Sequence, residues 1–160
     1  MTEEKTNVMR VLEQKKISYV PHRYDVSDGA LDGVTAAERL GMDPDMVYKT
    51  LVTQGAGKGY YVFVIPVERE LDLKAAARAV GEKSIDMLRQ AQLQPLTGYV
   101  HGGCSPVGMK KQFKTVIDAS AQGRERIGVS AGKVGCQVEL SPGDLAGLVR
   151  AGFAAVCKGE

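Results

Sequence analysis

Two stretches carry residue types that could do chemistry together. In Val47-Tyr48-Lys49-Thr50-Leu51-Val52 a lysine stands where a β-strand expects an apolar side chain. Period-two alternation puts Val47, Lys49 and Leu51 on one face. An ammonium flanked by Val and Leu must reach solvent or meet an anion, because burying it unpaired costs several kcal/mol. By itself the stretch leaves two readings open: an anion-binding lysine, or an edge-strand lysine that discourages edge pairing. The second stretch, Tyr99-Val-His-Gly-Gly-Cys-Ser-Pro-Val-Gly-Met-Lys-Lys111, breaks an apolar run with three glycines, a serine and a proline. Glycines let backbone N–H groups approach a ligand, and consecutive N–H groups in a turn can cradle an anion. Together the two would form a small anionic pocket; alone, the loop reads as an ordinary Gly-Pro turn.

Other nucleophile and ligand patterns are weak. Cys104, Cys136 and Cys157 are odd in number, widely spaced and without a C-x-x-C pair, which disfavours a disulfide framework and a zinc site. Cys104 with His101 invites a thiol-hydrolase reading, but no third orienting group accompanies them, and a small loop side chain is the simpler role. His22, inside a strand pattern, reads as structural. Gly55-Ala-Gly-Lys-Gly59 lacks the G-x-x-x-x-G-K-[ST] spacing of a phosphate loop and fits a hairpin turn.

The elements that must position these residues follow from periodicity. Glu3 to Lys16 reads as an amphipathic helix through Val8, Val11 and Leu12. Ile17 to Tyr24 reads as a strand, and Asp25 to Gly33 as a polar turn. Thr35-Ala-Ala-Glu38 has capping-box spacing for a short helix stopped by Gly41, and Asp43-Pro44 turns into the lysine strand. Strands are expected at Met46 to Gln54 and Tyr60 to Val67, then an Asp72-capped helix over Leu73 to Val80 ended by Gly81. A second short helix is expected over Ile85 to Gln92. Strands at Thr115 to Ile117, Arg126 to Ser130 and Val134 to Leu140 precede a helix from Pro142 to Val149 and a last strand near Phe153 to Val156. Strands and helices mix without strict alternation, which favours an α+β domain with a mixed, curved, barrel-like sheet surrounded by helices.

The 160 residues suit one domain, 1–160. With 21 basic and 19 acidic residues the formal charge is +2, so no strong footprint for DNA or an anionic membrane is present. No run approaches the roughly 18 apolar residues of a membrane span, and Met1 to Lys16 is charged where a signal peptide is apolar. A cytoplasmic protein is expected.

Several collinear motifs, from about Lys16 to the C-terminus, resemble the YbaK/EbsC family. They are Asp43-Pro-Asp-Met-Val-Tyr-Lys-Thr-Leu51, Leu71-Asp-Leu-Lys74, Thr97-Gly98-Tyr99 with Gly102-Gly-Cys-Ser-Pro-Val-Gly108, Val129-Ser-Ala-Gly-Lys133 and Glu139-Leu140. Members are free-standing relatives of the editing domain inserted in bacterial prolyl-tRNA synthetases. The resemblance implies a deacylase of mischarged aminoacyl-tRNA, typically cysteine on proline tRNA, with the tRNA 3′ acceptor end as partner and prolyl-tRNA synthetase as a companion. It implies a pocket lysine at Lys49, a glycine-serine loop at Gly102, Gly103 and Ser105, an aromatic pocket residue at Tyr24, and further substrate contacts at Thr50, Gly98, Cys104, Ser130 and Gln137. The chain departs at Gln137, where the family often carries an aspartate; Gln keeps hydrogen bonding and loses the charge.

Cleaving an aminoacyl ester makes modest demands. Pre-aimed donors for the oxyanion contribute about 3 kcal/mol each, and N–H groups of Gly102 to Ser105 could supply them. A cation about 4 Å from an anionic oxygen adds about 4 kcal/mol at an effective dielectric near 20. Neither metal nor cofactor is required. In the resembled family the thiol of the substrate cysteine is thought to attack its own carbonyl, giving a cyclic thioester and free tRNA. Two other readings stay open: a non-catalytic module that binds the acceptor end, compatible with Gln137 and the basic cluster Lys110, Lys111 and Lys114, and a deacylase for another amino acid such as alanine.

Overall fold

The computed structural model describes residues 5–25 and 33–159. Glu3 and Glu4 of the expected first helix, and most of the expected Asp25 to Gly33 turn, lie outside the described residues. The first helix, α1 (Asn7–Gln14), begins where the Thr6 hydroxyl accepts from the Met9 N–H. It buries Val8, Met9 and Leu12 and leaves its polar face to solvent.

Eight strands form two sheets among the described residues. The smaller is antiparallel, with β1 (Tyr19–Arg23), β7 (Cys136–Leu140) and β6 (Ile127–Lys133) in that order. The larger is mixed: β4 (Ile85–Met87), β2 (Tyr48–Gly55) and β3 (Tyr60–Pro66) run antiparallel, while β5 (Lys114–Asp118) and β8 (Gly152–Ala154) join in parallel. The expected α+β mixture is present, but not the single barrel-like sheet. The sheets meet through one isolated bridge, Val47 to Gly128, and β1 and β4 leave open edges, so hydrogen bonding never closes into a ring.

Two helices follow their start signals and a third departs from its own. Asp72 caps α3 (Leu73–Val80) by accepting from the N–H of Lys74 and Ala75, and Gly81 closes it at φ 74°. Ser141 caps α5 (Pro142–Val149), with Pro142 in its first turn. α2 (Gly33–Leu40) opens two residues before Thr35, so Thr35 and Glu38 lie inside the helix rather than forming a box at its start. Burying Ala37 with Val34 against Val47 and Val67 requires both residues on one helical face, at i and i+3.

The expected helix over Ile85 to Gln92 is absent. Ile85 instead buries its side chain and pairs with Gly55, extending the edge of β2, and the helix starts later as α4 (Gln90–Thr97). Leu93 and Leu96 of α4 pack with Val52, Val62 and Phe113. The Gly55 to Gly59 segment is the expected hairpin turn, closed by the Gly55 N–H donating to the Gly59 carbonyl at 2.8 Å. No helix among the described residues is long and apolar enough to cross a membrane.

Candidate active site

The two sheets meet around a cavity of about 350 Å³ lined from both. Alternation along β7 sends Cys136, Val138 and Leu140 into the main core and leaves Gln137 on the opposite face. In β6 the same alternation buries Ile127, Val129 and Ala131 and presents Ser130, the cross-strand partner of Gln137. The start of β2 supplies Tyr48, Lys49, Thr50 and Leu51, the end of β1 leads to Tyr24, and the glycine loop brings His101, Gly102 and Cys104. Seven of the residues implicated by sequence thus share one wall: Tyr24, Lys49, Thr50, Gly102, Cys104, Ser130 and Gln137.

Lys49 is partly buried and makes no ion pair or hydrogen bond among the described residues. Burial draws its pKa below the usual lysine range, opposed by the nearby Cys157 and Glu70. It is therefore a desolvated cation in a pocket wall whose missing partner is an anionic or strongly polar oxygen. β2 lies between β3 and β4, but β4 pairs only with Thr53 to Gly55, so at Lys49 the strand is paired with β3 alone.

Cys104 is the opposite case. Burial pushes its thiol up to about 12, so the thiol stays protonated at neutral pH. His101 lines the same cavity, yet no hydrogen bond between the two is present among the described residues. The arrangement lacks an activated protein nucleophile.

Three implicated residues lie outside the wall. Ser105 is fully buried, and its hydroxyl accepts from the Val107 N–H at 3.2 Å, which shapes the turn. Gly98 ends α4 at φ 88° beneath the stem of Lys110. Gly103 is buried against the β6–β7 turn: a Cβ there would sit 3.1 Å from the Val134 nitrogen. Its N–H already donates to the Val100 carbonyl at 3.0 Å, whereas those of Gly102 and Cys104 are engaged by no hydrogen bond among the described residues. The positive backbone angle lies at Gly102, φ 87°, so that is where only glycine is comfortable.

The loop is braced from behind. Tyr99 donates its hydroxyl to the Val107 carbonyl, and burial pushes its pKa up to about 12. Gly132, in the β6 bulge, lets Tyr99 and Val8 approach to 2.9 and 3.1 Å of where a Cβ would stand. Tyr48 donates to or accepts from Ser120 at 2.7 Å, locking the start of β2. His22 pairs with Glu139 at 3.1 Å and stays out of the cavity wall, in keeping with a structural role. Among the described residues no group of three His, Cys, Asp or Glu side chains could hold a metal.

The apolar wall formed by Val34, Ala36, Val67 and Leu93 went unread in the sequence. Val67 carried a usable signal: it directly follows β3, the strand paired with the lysine strand, and its N–H donates to the Val47 carbonyl at 2.9 Å. Leu93 was hidden by the misplaced helix.

The family model of the aminoacyl-tRNA editing domain matches residues 30–148. The chain is 45% identical over 159 residues to a protein of Enterococcus faecalis named "Putative Cys-tRNA(Pro)/Cys-tRNA(Cys) deacylase EbsC", covering 99% of this chain and 97% of that one. A crystal structure described as a "putative trans-editing enzyme for prolyl tRNA synthetase" superposes with a TM-score of 0.82 at 25% identity, over 95% of each chain. The hypothetical protein APE2540 shares the fold, with a TM-score of 0.86 at 23% identity over 94% of this chain and 99% of that one.

Proposed function

The chain belongs to the aminoacyl-tRNA editing domain family, and from that premise we propose that it deacylates mischarged tRNA in trans, with Cys-tRNA(Pro) as its main substrate. The observation that carries the reading is Lys49, a half-buried cation in the cavity wall that makes no ion pair or hydrogen bond among the described residues, beside a Cys104 thiol kept protonated by burial. Such a site has what ester polarisation needs and lacks what acyl-enzyme chemistry needs.

In the proposed reaction the acceptor end enters the cavity and the ester carbonyl meets Lys49 and the free N–H groups of Gly102 and Cys104. The substrate cysteine's thiolate forms a C–S bond to its own carbonyl carbon. The C–O ester bond breaks, and the proton lost by the thiol ends on the released ribose hydroxyl. A free thiol near pKa 8.5 is already a few per cent thiolate at neutral pH, whereas burial keeps Cys104 protonated, so the substrate thiol is the more available nucleophile. The products are a cyclic thioester, which water opens, and free tRNA. The reaction requires neither metal nor cofactor, takes place in the cytoplasm, and engages only the acceptor end; prolyl-tRNA synthetase is the natural source of the mischarged substrate.

The test is a panel of Cys-, Ala- and Pro-tRNA(Pro) and Cys-tRNA(Cys) incubated with the purified protein, with ester loss measured in single turnover. Rapid loss of cysteine with the others slow is the expected result. Faster loss of alanine would move the substrate assignment, and binding without any ester loss would leave an acceptor-end binding module.

A further inference from the structure

Inside the cavity wall two oxygen atoms have no donor among the described residues. Gln137 is 7% exposed, and its Oε1 is buried without a hydrogen bond; the Thr50 Oγ1 is buried and unpartnered in the same way. Both residues line the cavity that Lys49 lines. Buried polar atoms are almost always satisfied, and an unsatisfied one costs about 1–3 kcal/mol. Two in one pocket imply a ligand that brings its own donors.

The neighbourhood keeps the Gln137 oxygen available. Its cross-strand neighbours are Ser130, whose hydroxyl oxygen accepts from the Gly132 N–H at 3.1 Å, and His22, paired with Glu139, and neither bonds Oε1. Gly128 lets Gln137 and Met42 pack close: a Cβ there would lie 3.5 Å from Oε1 and 3.2 Å from the Met42 Cε, an apolar neighbour that donates nothing. Thr50 follows Lys49 in β2, so strand alternation sends their side chains to opposite faces, and both residues border the cavity.

An α-amino ester has the complementary polarity. Its carbonyl oxygen accepts, its amine donates, and one carbon separates the two groups. We infer that Gln137 and Thr50 form an amine subsite, their two neutral oxygens receiving the α-amino group of the aminoacyl moiety while Lys49 faces the carbonyl. The inference rests on the deacylase reading and deepens it: the pocket demands an α-amino acid ester, and esters lacking the amine are poor substrates whatever their side chain.

The experiment compares wild-type protein on Cys-tRNA and on its deamino counterpart, 3-mercaptopropionyl-tRNA, which retains the thiol and the ester. Each rate is divided by the spontaneous rate of the same ester, removing the amine's intrinsic effect on reactivity. Wild type is expected to accelerate the amine-bearing ester about 10²-fold or more over the deamino one, because the latter leaves two buried acceptors unpaired. Thr50→Val and Gln137→Leu, which keep approximate shape and remove the acceptor, should each lower that ratio about tenfold or more. A ratio is insensitive to a mere loss of folded protein. Equal acceleration of both esters by wild type, or a ratio unchanged in both variants, overturns the amine subsite and leaves the deacylase reading intact. Acceleration of neither ester removes the deacylase reading, and the subsite falls with it.

Discussion

Lys49 joins opposed requirements, because burial raises the energy of its charged form while the proposed chemistry needs that form. Its folded-state pKa lies below the 10.5 of an exposed lysine, so between those values the unfolded chain binds more protons and stability rises with pH. Below that interval, at neutral pH, the penalty is fully present. Lys49→Met should therefore melt no lower than wild type at pH 7, with any advantage narrowing as pH climbs toward 10.5. The same variant, and Lys49→Ala, should lose about 10²-fold or more in single-turnover deacylation. Calorimetry across pH alongside the kinetic assay checks both halves, and a Lys49→Ala protein with wild-type turnover would refute the role of the cation. Cys104→Ala should keep most of its activity, and mass spectrometry of the wild type during turnover should find no cysteine attached to the protein. A trapped adduct together with an inactive alanine variant would restore the thiol as nucleophile.

At the scale of elements, the glycine loop works because the β6–β7 turn supports it. Gly103→Val should abolish activity and lower the melting temperature, since its Cβ would press on the Val134 nitrogen at 3.1 Å, a backbone atom that cannot swing aside. The damage comes from that collision and not from a forbidden backbone angle, which belongs to Gly102. Asp72→Ala, remote from the cavity wall, should cost about 1 kcal/mol by removing the cap of α3, measured by urea denaturation. Local rules written in a few adjacent residues were legible: the α3 cap and its Gly81 stop, Pro142 opening α5, and the Gly55 to Gly59 hairpin. Ile85 to Gln92 was not, because its pattern suits a short helix and only the unpaired edge of β2, distant in sequence, turns Ile85 into a strand. Likewise Lys49 and the Gly102 region stood out as chemical oddities in their own stretches, whereas Val34, Val67 and Leu93 are ordinary apolar residues whose role as a wall exists only after the sheets meet.

For the whole molecule the governing quantity is charge. With a formal +2 spread over 160 residues, the protein has no field able to hold a long stretch of phosphate backbone. The expected basic cluster is exposed but lies outside the cavity wall, and within it Lys110 lays its stem over Gly98 and reaches the Pro95 carbonyl at 3.4 Å. A cavity of about 350 Å³ admits an aminoacylated terminus and no helical stem. Recognition should therefore rest on the esterified end, with few phosphates neutralised. Counterion release then predicts a shallow salt dependence: each phosphate contributes about 0.7 to 0.9 to the slope of log K against log salt, so two or three contacts give a slope of about −2. Fluorescence anisotropy of a labelled tRNA carrying a non-hydrolysable aminoacyl amide, titrated at several potassium chloride concentrations, measures it. A slope steeper than about −5 would mean that a much larger phosphate surface is engaged, and would put most of the binding outside the cavity.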